Sequence, residues 1–104
     1  MGVIVIVGYT PKPGEAQALD SLVRGHVRRL RVMGLVTDRE SVLMKSADGT
    51  VIEVFEWVSK AAIESAHSNP EVLKMWGEFD EVCDYRPLSE LAETSQLFAE
   101  FRSI

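Results

Sequence analysis

The sequence predicts an α+β fold: one antiparallel sheet of four strands with its helices on a single face. Three features lead there. Two stretches, Val3 to Tyr9 and Thr50 to Val58, alternate at the two-residue period of a strand yet are apolar on both faces. Two others repeat apolar residues at three and four, the spacing of one helix stripe. Asp48-Gly49 lies between strand-forming runs and marks a hairpin, because both residues tolerate positive φ.

The first strand, VIVIVGY, carries Val3, Val5, Val7 and Tyr9 on one face and Ile4 and Ile6 on the other. Pro11, Pro13 and Gly14 then punctuate the chain, and Pro13 suits the first turn of a helix, where its missing N–H costs nothing. Helix one is expected from about Gly14 to Met33, with Leu19, Leu22, Val23, Val27 and Leu30 inward and Gly34 as its C-terminal cap. Leu35 to Ala47 holds a second strand, strongest at Ser41 to Lys45. The third places Val51, Glu53, Phe55 and Trp57 on one face and Ile52, Val54, Glu56 and Val58 on the other. Ser59 caps a short helix through Ala66, and Asn69-Pro70-Glu71 starts another, expected through Asp84, with Val72, Leu73, Trp76, Phe79 and Cys83 buried. Tyr85 to Thr94 reads as a connector with one turn at Pro87 to Leu91, and Gln96 to Ile104 as the last strand. The order β-α-β-β-α-α-β is a ferredoxin-like arrangement.

A chain of 104 residues is expected to form a single domain, 1–104, around one core. Its 46% apolar and 26% charged residues are those of a globular protein, and a net charge of −5 argues against general nucleic-acid binding, which needs accumulated Lys and Arg. No apolar run approaches the roughly 20 residues of a membrane span. Met1-Gly2 opens like an acylation signal, but Ile6 stands where that motif wants Ser or Thr. One Cys and two well-separated His cannot build a metal cluster unaided, so no metal is expected, and a lone thiol suits a reducing cytoplasm.

Helices can cover only one face of this sheet, and the other would leave Val, Ile and Phe against water. A second copy of the chain is the expected cover, burying on the order of 1,600 Å² or more. At this point the residues resemble the antibiotic biosynthesis monooxygenase family of dimeric α+β barrels. The likeness covers nearly the whole chain. Its most specific part runs from Asp48-Gly49-Thr50 through Glu56-Trp57 to Ala66-His67-Ser68-Asn69-Pro70, a strand ending in Trp followed ten residues later by His. The tail, Tyr85-Arg86-Pro87-Leu88-Ser89-Glu90-Leu91 with Phe98-Ala99-Glu100-Phe101, is similar to bacterial members of that family. The resemblance implies a homodimer with a ligand cavity between sheet and helices. Some members oxygenate polycyclic aromatics without metal or flavin, so no cofactor is expected. The haem-degrading branch has an Asn in its first strand, and VIVIVGY has none.

Five residues are candidates for the pocket: Tyr9, Glu53, Trp57, His67 and Trp76. Trp57 closes the central strand, where it either stacks on a flat ligand or fills the core. His67 carries an imidazole, the commonest side chain for general base work, and could act as one; near a helix C-terminus it could equally serve the dipole. His26, beside the apolar stripe of helix one, reads as a satisfied structural histidine. Glu53, on a buried face, needs a partner or serves as a base in a cavity, and pairing with Arg39 or Lys45 across the hairpin is the expectation. Arg24, Arg28, Arg29 and Arg31 on helix one are expected to pair with Glu78, Asp80, Glu81 and Asp84 of the third helix, and Gly25 hints at close backbone packing. Tyr9 would supply a phenol, and Trp76, Phe79 and Met75 either fill the core or roof a cavity. The first functional expectation is a small homodimer that binds a flat, largely apolar organic ligand, with cofactor-independent monooxygenase activity and His67 as its catalytic residue. The second is a non-catalytic ligand-binding or stress-related dimer.

Overall fold

The computed structural model describes residues 2–104. Met1, with which the acylation-like opening begins, lies outside them. Strands β1 (Val3–Pro11), β2 (Val42–Lys45), β3 (Val51–Trp57), β4 (Cys83–Tyr85) and β5 (Arg102–Ser103) form one antiparallel sheet in the order β4-β1-β3-β2-β5. Helices α1 (Ala16–Val32), α2 (Lys60–Ala66) and α3 (Pro70–Val82) accompany it, with 3₁₀ turns at Leu88–Glu90 and Ala92–Ser95. No helix is long and apolar enough to cross a membrane.

The β1–β3 register is what organises the core. Val5 faces Phe55, Val7 faces Glu53 and Tyr9 faces Val51, so one set of alternate side chains from both strands lies together. Against this set α1 places Leu19, Val23, His26, Val27 and Leu30, all buried, and α3 places Val72, Met75 and Phe79. The opposite set pairs Ile4 with Glu56 and Ile6 with Val54; Ile4 is 54% and Ile6 51% exposed. At one end that second face is closed: a Cβ on Gly8 would sit 2.6 Å from the Arg86 carbonyl oxygen, and Gly8's cross-strand neighbour Ile52 is fully buried. Arg86 is held there by its own N–H on Gly8 O (2.9 Å) and by its guanidinium on Asp48 and Thr50 of the hairpin.

Local signals read from sequence act as expected at several boundaries. Gly34, at φ +75°, ends α1 in a Schellman turn, with Leu35 N–H on Leu30 O and Gly34 N–H on Arg31 O. Gly49, at φ +94°, closes the hairpin, with Ser46 N–H bonded to Thr50 O. Ser59 Oγ accepts from Ala62 N–H, and Asn69 Oδ1 accepts from Glu71 and Val72 N–H in front of Pro70.

Four expectations need correction. The sheet has five strands, not four. Cys83 leaves the helical conformation (φ −151°, ψ 167°), so α3 stops at Val82 and the next three residues pair with Tyr9–Pro11, covering what would otherwise be a bare edge of β1. The tail pairs with β2 through Arg102–Ser103 alone; Leu97 and Phe98, expected in a strand, are 94% and 78% exposed. Helix α1 begins at Ala16, because Gly14 adopts φ +79° in the preceding turn and leaves Pro13 outside the helix. Gly25 meets no close neighbour, since an added Cβ would have nothing within 4 Å.

Replacing the α3 cap, Asn69→Ala, leaves two N–H groups without their acceptor and is expected to lower unfolding free energy by about 1 kcal/mol in denaturant titration. An unchanged midpoint contradicts the capping role.

Candidate functional site

Between the helices and the β4-β1-β3 half of the sheet lies a cavity of about 440 Å³, within the range of small-molecule sites. Its floor is Val5, Val7 and Tyr9 of β1 with Phe55 and Trp57 of β3. Helix α1 contributes His26, and α2 contributes Ile63 and His67. Trp76, Phe79 and Asp80 come from α3, and Tyr85 from β4. The wall is therefore mostly aromatic because each surrounding element turns its apolar stripe or face inward.

Glu53 lies behind this wall, fully buried on the central strand. A carboxylate carried into the core must be hydrogen-bonded. Its Oε1 accepts from Tyr9 OH at 2.8 Å and from His26 Nδ1 at 2.8 Å. One strand neighbour and one helix residue thus share a single oxygen, while Oε2 finds no partner among the described residues. The sequence expectation that Glu53 pairs with Arg39 or Lys45 fails on direction: those side chains reach Glu56 and Asp20 instead, Arg39 Nε at 3.0 Å and Lys45 Nζ at 3.4 Å. Glu53 points to the helices, and Glu56 is on the other face of the same strand.

The shared carboxylate orients His26. A carboxylate only accepts, so Nδ1 carries the proton in the neutral ring and Nε2 is left with its lone pair. His26 is 3% exposed and lines the cavity, and its Nε2 has no partner among the described residues. Phe79 and Phe55 clamp the imidazole edge-on, with centroids 4.9 and 5.5 Å away. A satisfied structural histidine was expected here; only one of its two nitrogens is satisfied.

Tyr9 is fixed as a neutral donor: burial first, and then the Glu53 charge, push its pKa far above the usual phenol range. Tyr85, its ring tilted against that of Tyr9 at 5.6 Å and half-exposed at the mouth, is pushed up to about 12 by burial and then by the Asp80 charge.

Of the five residues picked from sequence, Tyr9, Trp57, His67 and Trp76 line the cavity and Glu53 stands one layer behind. His67 is at the rim, exposed, with Nδ1 on Ile63 O at 2.8 Å and its ring 5.2 Å from Trp76, edge-on. Sequence reasoning missed Phe55, Asp80 and Tyr85 and ranked His26 as structural, while Phe79 was expected with Trp76 in the cavity roof. The signal for His26 was present: it stands seven residues after Leu19 and four before Leu30, inside the buried stripe, and Glu53 is the ionisable group on the face that stripe covers. Between the helices, Arg29 pairs with Glu78 at 2.9 Å. Arg24 and Arg28 make no ion pair among the described residues, and Arg31 turns to the main-chain oxygens of Thr37 and Arg39, so the wider α1–α3 pairing expected from sequence does not form.

Tyr9, Tyr85 and Cys83 all hold their protons more tightly when folded. The stability they contribute is whole below their ordinary values of 10.0 and 9.0 and is lost as pH climbs toward the raised ones, about 12 for Tyr85 and about 11 for Cys83. Alkaline titration of tyrosinate absorbance is expected to show Tyr85 ionising near pH 12 in the folded chain, and Tyr9 only as the chain unfolds. Both phenols titrating near pH 10 with the fold intact contradicts the buried Tyr9–Glu53 bond.

No family model matches the chain, and no curated protein does. Among solved structures, that of Rv0793 from Mycobacterium tuberculosis superposes with a TM-score of 0.63 at 25% identity, covering 84% of this chain and 87% of that one. PA3566 from Pseudomonas aeruginosa gives a TM-score of 0.63 at 17% identity, over 82% of this chain and 87% of that one. The chain shares a small α+β fold with both.

Proposed function

We propose that the protein binds a flat, largely apolar organic molecule in the helix–sheet cavity and removes a proton from it at His26 Nε2. The observation that carries this reading is a buried imidazole on the wall of an aromatic-lined cavity, with one nitrogen held by a carboxylate and the other without a partner among the described residues. Glu53 fixes the tautomer and stabilises the imidazolium that forms on proton transfer; Tyr9 holds Glu53. Trp57 and Trp76 offer faces on which a flat ring can stack. The base is His26, in place of the His67 expected from sequence, because His67 is exposed and lacks a carboxylate partner among the described residues.

An anthrone stripped of a ring C–H proton is an enolate electron-rich enough to react with oxygen directly. One oxygen atom becomes the new carbonyl, the other leaves as water, and the oxidised carbon supplies all four electrons. The resemblance to antibiotic biosynthesis monooxygenases therefore extends the reading to cofactor-independent monooxygenation, with substrate carbon as the reductant and no metal or flavin. The strand order β4-β1-β3-β2 is consistent with the ferredoxin-like, dimeric α+β barrel reading, with β5 added at one edge. The dimer belongs to the same proposal. Ile4, Ile6 and Val42 are half-exposed on the uncovered sheet face, Leu97 and Phe98 project from the tail, and a second copy would remove all of them from water. A reducing cytoplasm suits the single free thiol, Cys83.

Oxygen consumption with an anthrone or quinol substrate is expected to fall about 100-fold or more in His26→Ala and less than about 10-fold in His67→Ala. Equal rates in the natural chain and His26→Ala remove the assigned base. Sedimentation at micromolar concentration is expected to give twice the 11.6 kDa chain mass, and Ile6→Lys to halve it. A monomer in the natural chain ends the dimer proposal.

A further inference from the structure

The charge of the cavity narrows what can enter it. Among the described residues Asp80 is the one carboxylate on its wall, and no Lys or Arg lines it. Glu53, one layer behind, adds a second acidic group that no Lys or Arg faces, since its contacts are Tyr9 and His26. Lys12 bonds the main-chain oxygen of Asp80 at 2.8 Å, and no ion pair joins Lys12 to the Asp80 carboxylate among the described residues. That carboxylate is exposed, with no hydrogen-bond or ion-pair partner among the described residues, and its charge reaches the phenol of Tyr85 beside it. Trp76 and Tyr85 add π-faces near the same opening, which attract cations. An anion placed here would lose its water and meet the Asp80 carboxylate on the wall.

We infer that the ligand is a ring compound bearing a protonated amine, its ring among Phe55, Trp57 and Phe79 within reach of His26 Nε2, its ammonium at the mouth against Asp80, and that carboxylated, sulfated and phosphorylated rings are excluded. The second, independent pointer to a ligand is His26 on the cavity wall, 3% exposed, its Nε2 without a partner among the described residues. This rests on the cavity being a ligand site, as proposed above, and adds the sign of the ligand's charge.

Three 2-naphthols carrying an aminomethyl, a methyl or a carboxylate group at the same ring position test it. They are titrated into the full chain at pH 8, above the ordinary imidazole range, following the fluorescence of Trp57 and Trp76, the only two tryptophans in the sequence and both on the cavity wall. The aminomethyl compound is expected to bind about 5-fold tighter than the methyl one, and the carboxylate at least about 10-fold weaker. Asp80→Asn is expected to erase the amine's advantage and Asp80→Lys to reverse the order. Binding of the methyl compound with the carboxylate equal or tighter, or an order untouched by Asp80→Lys, overturns the charge inference alone. Failure of all three to bind overturns the ligand cavity and this inference with it.

Discussion

Everything at the centre of this molecule turns on one buried carboxylate. Glu53 sits on the middle strand with water excluded, and a group of that kind must find donors or destabilise the fold. It finds Tyr9 from the neighbouring strand and His26 from the covering helix, both on Oε1. Sheet register and helix rotation are therefore tied to each other through a single oxygen. Sliding β1 by one residue would send Tyr9 to the opposite face, and turning α1 would withdraw His26.

The same constraint shapes the cavity. Large rings stand where small aliphatic side chains would pack solid: Phe55 and Trp57 on the sheet, Phe79 and Trp76 on α3, Tyr85 on the short strand that follows. Rings meet edge-on or tilted at 4.9 to 5.6 Å, and they enclose space that Ile63 and His67 border at the rim. On the wall of this apolar volume stands His26, whose buried Nε2 has no partner among the described residues. A low-dielectric wall strengthens whatever hydrogen bond that nitrogen makes.

The fold was legible in the sequence where local chemistry decides. Gly34, Gly49, Ser59 and Asn69 each do what their residue type dictates, and alternation in β1 and β3 assigns their inward faces correctly. It was illegible where a long-range pairing wins: nothing between Cys83 and Tyr85 says strand, and those residues extend because Tyr9–Pro11 lie alongside. The site divides in the same way. Tyr9, Trp57, His67 and Trp76 were found because bulky or titratable residues at element ends and on inward stripes tend to border a cavity. Glu53 was noticed and given the wrong partners, since cross-hairpin pairing looks only at the nearest cations along the sheet. His26 was set aside because a histidine in a stripe usually is satisfied, and only the third dimension shows that half of it is not.

The tautomer of His26 tests this account most directly. Nitrogen NMR of the imidazole in the folded chain at neutral pH is predicted to show the proton on Nδ1, coupled across the hydrogen bond to Glu53, with Nε2 in its lone-pair form. A proton on Nε2 with Nδ1 bare would contradict it, because Glu53 could then not be orienting a base toward the cavity.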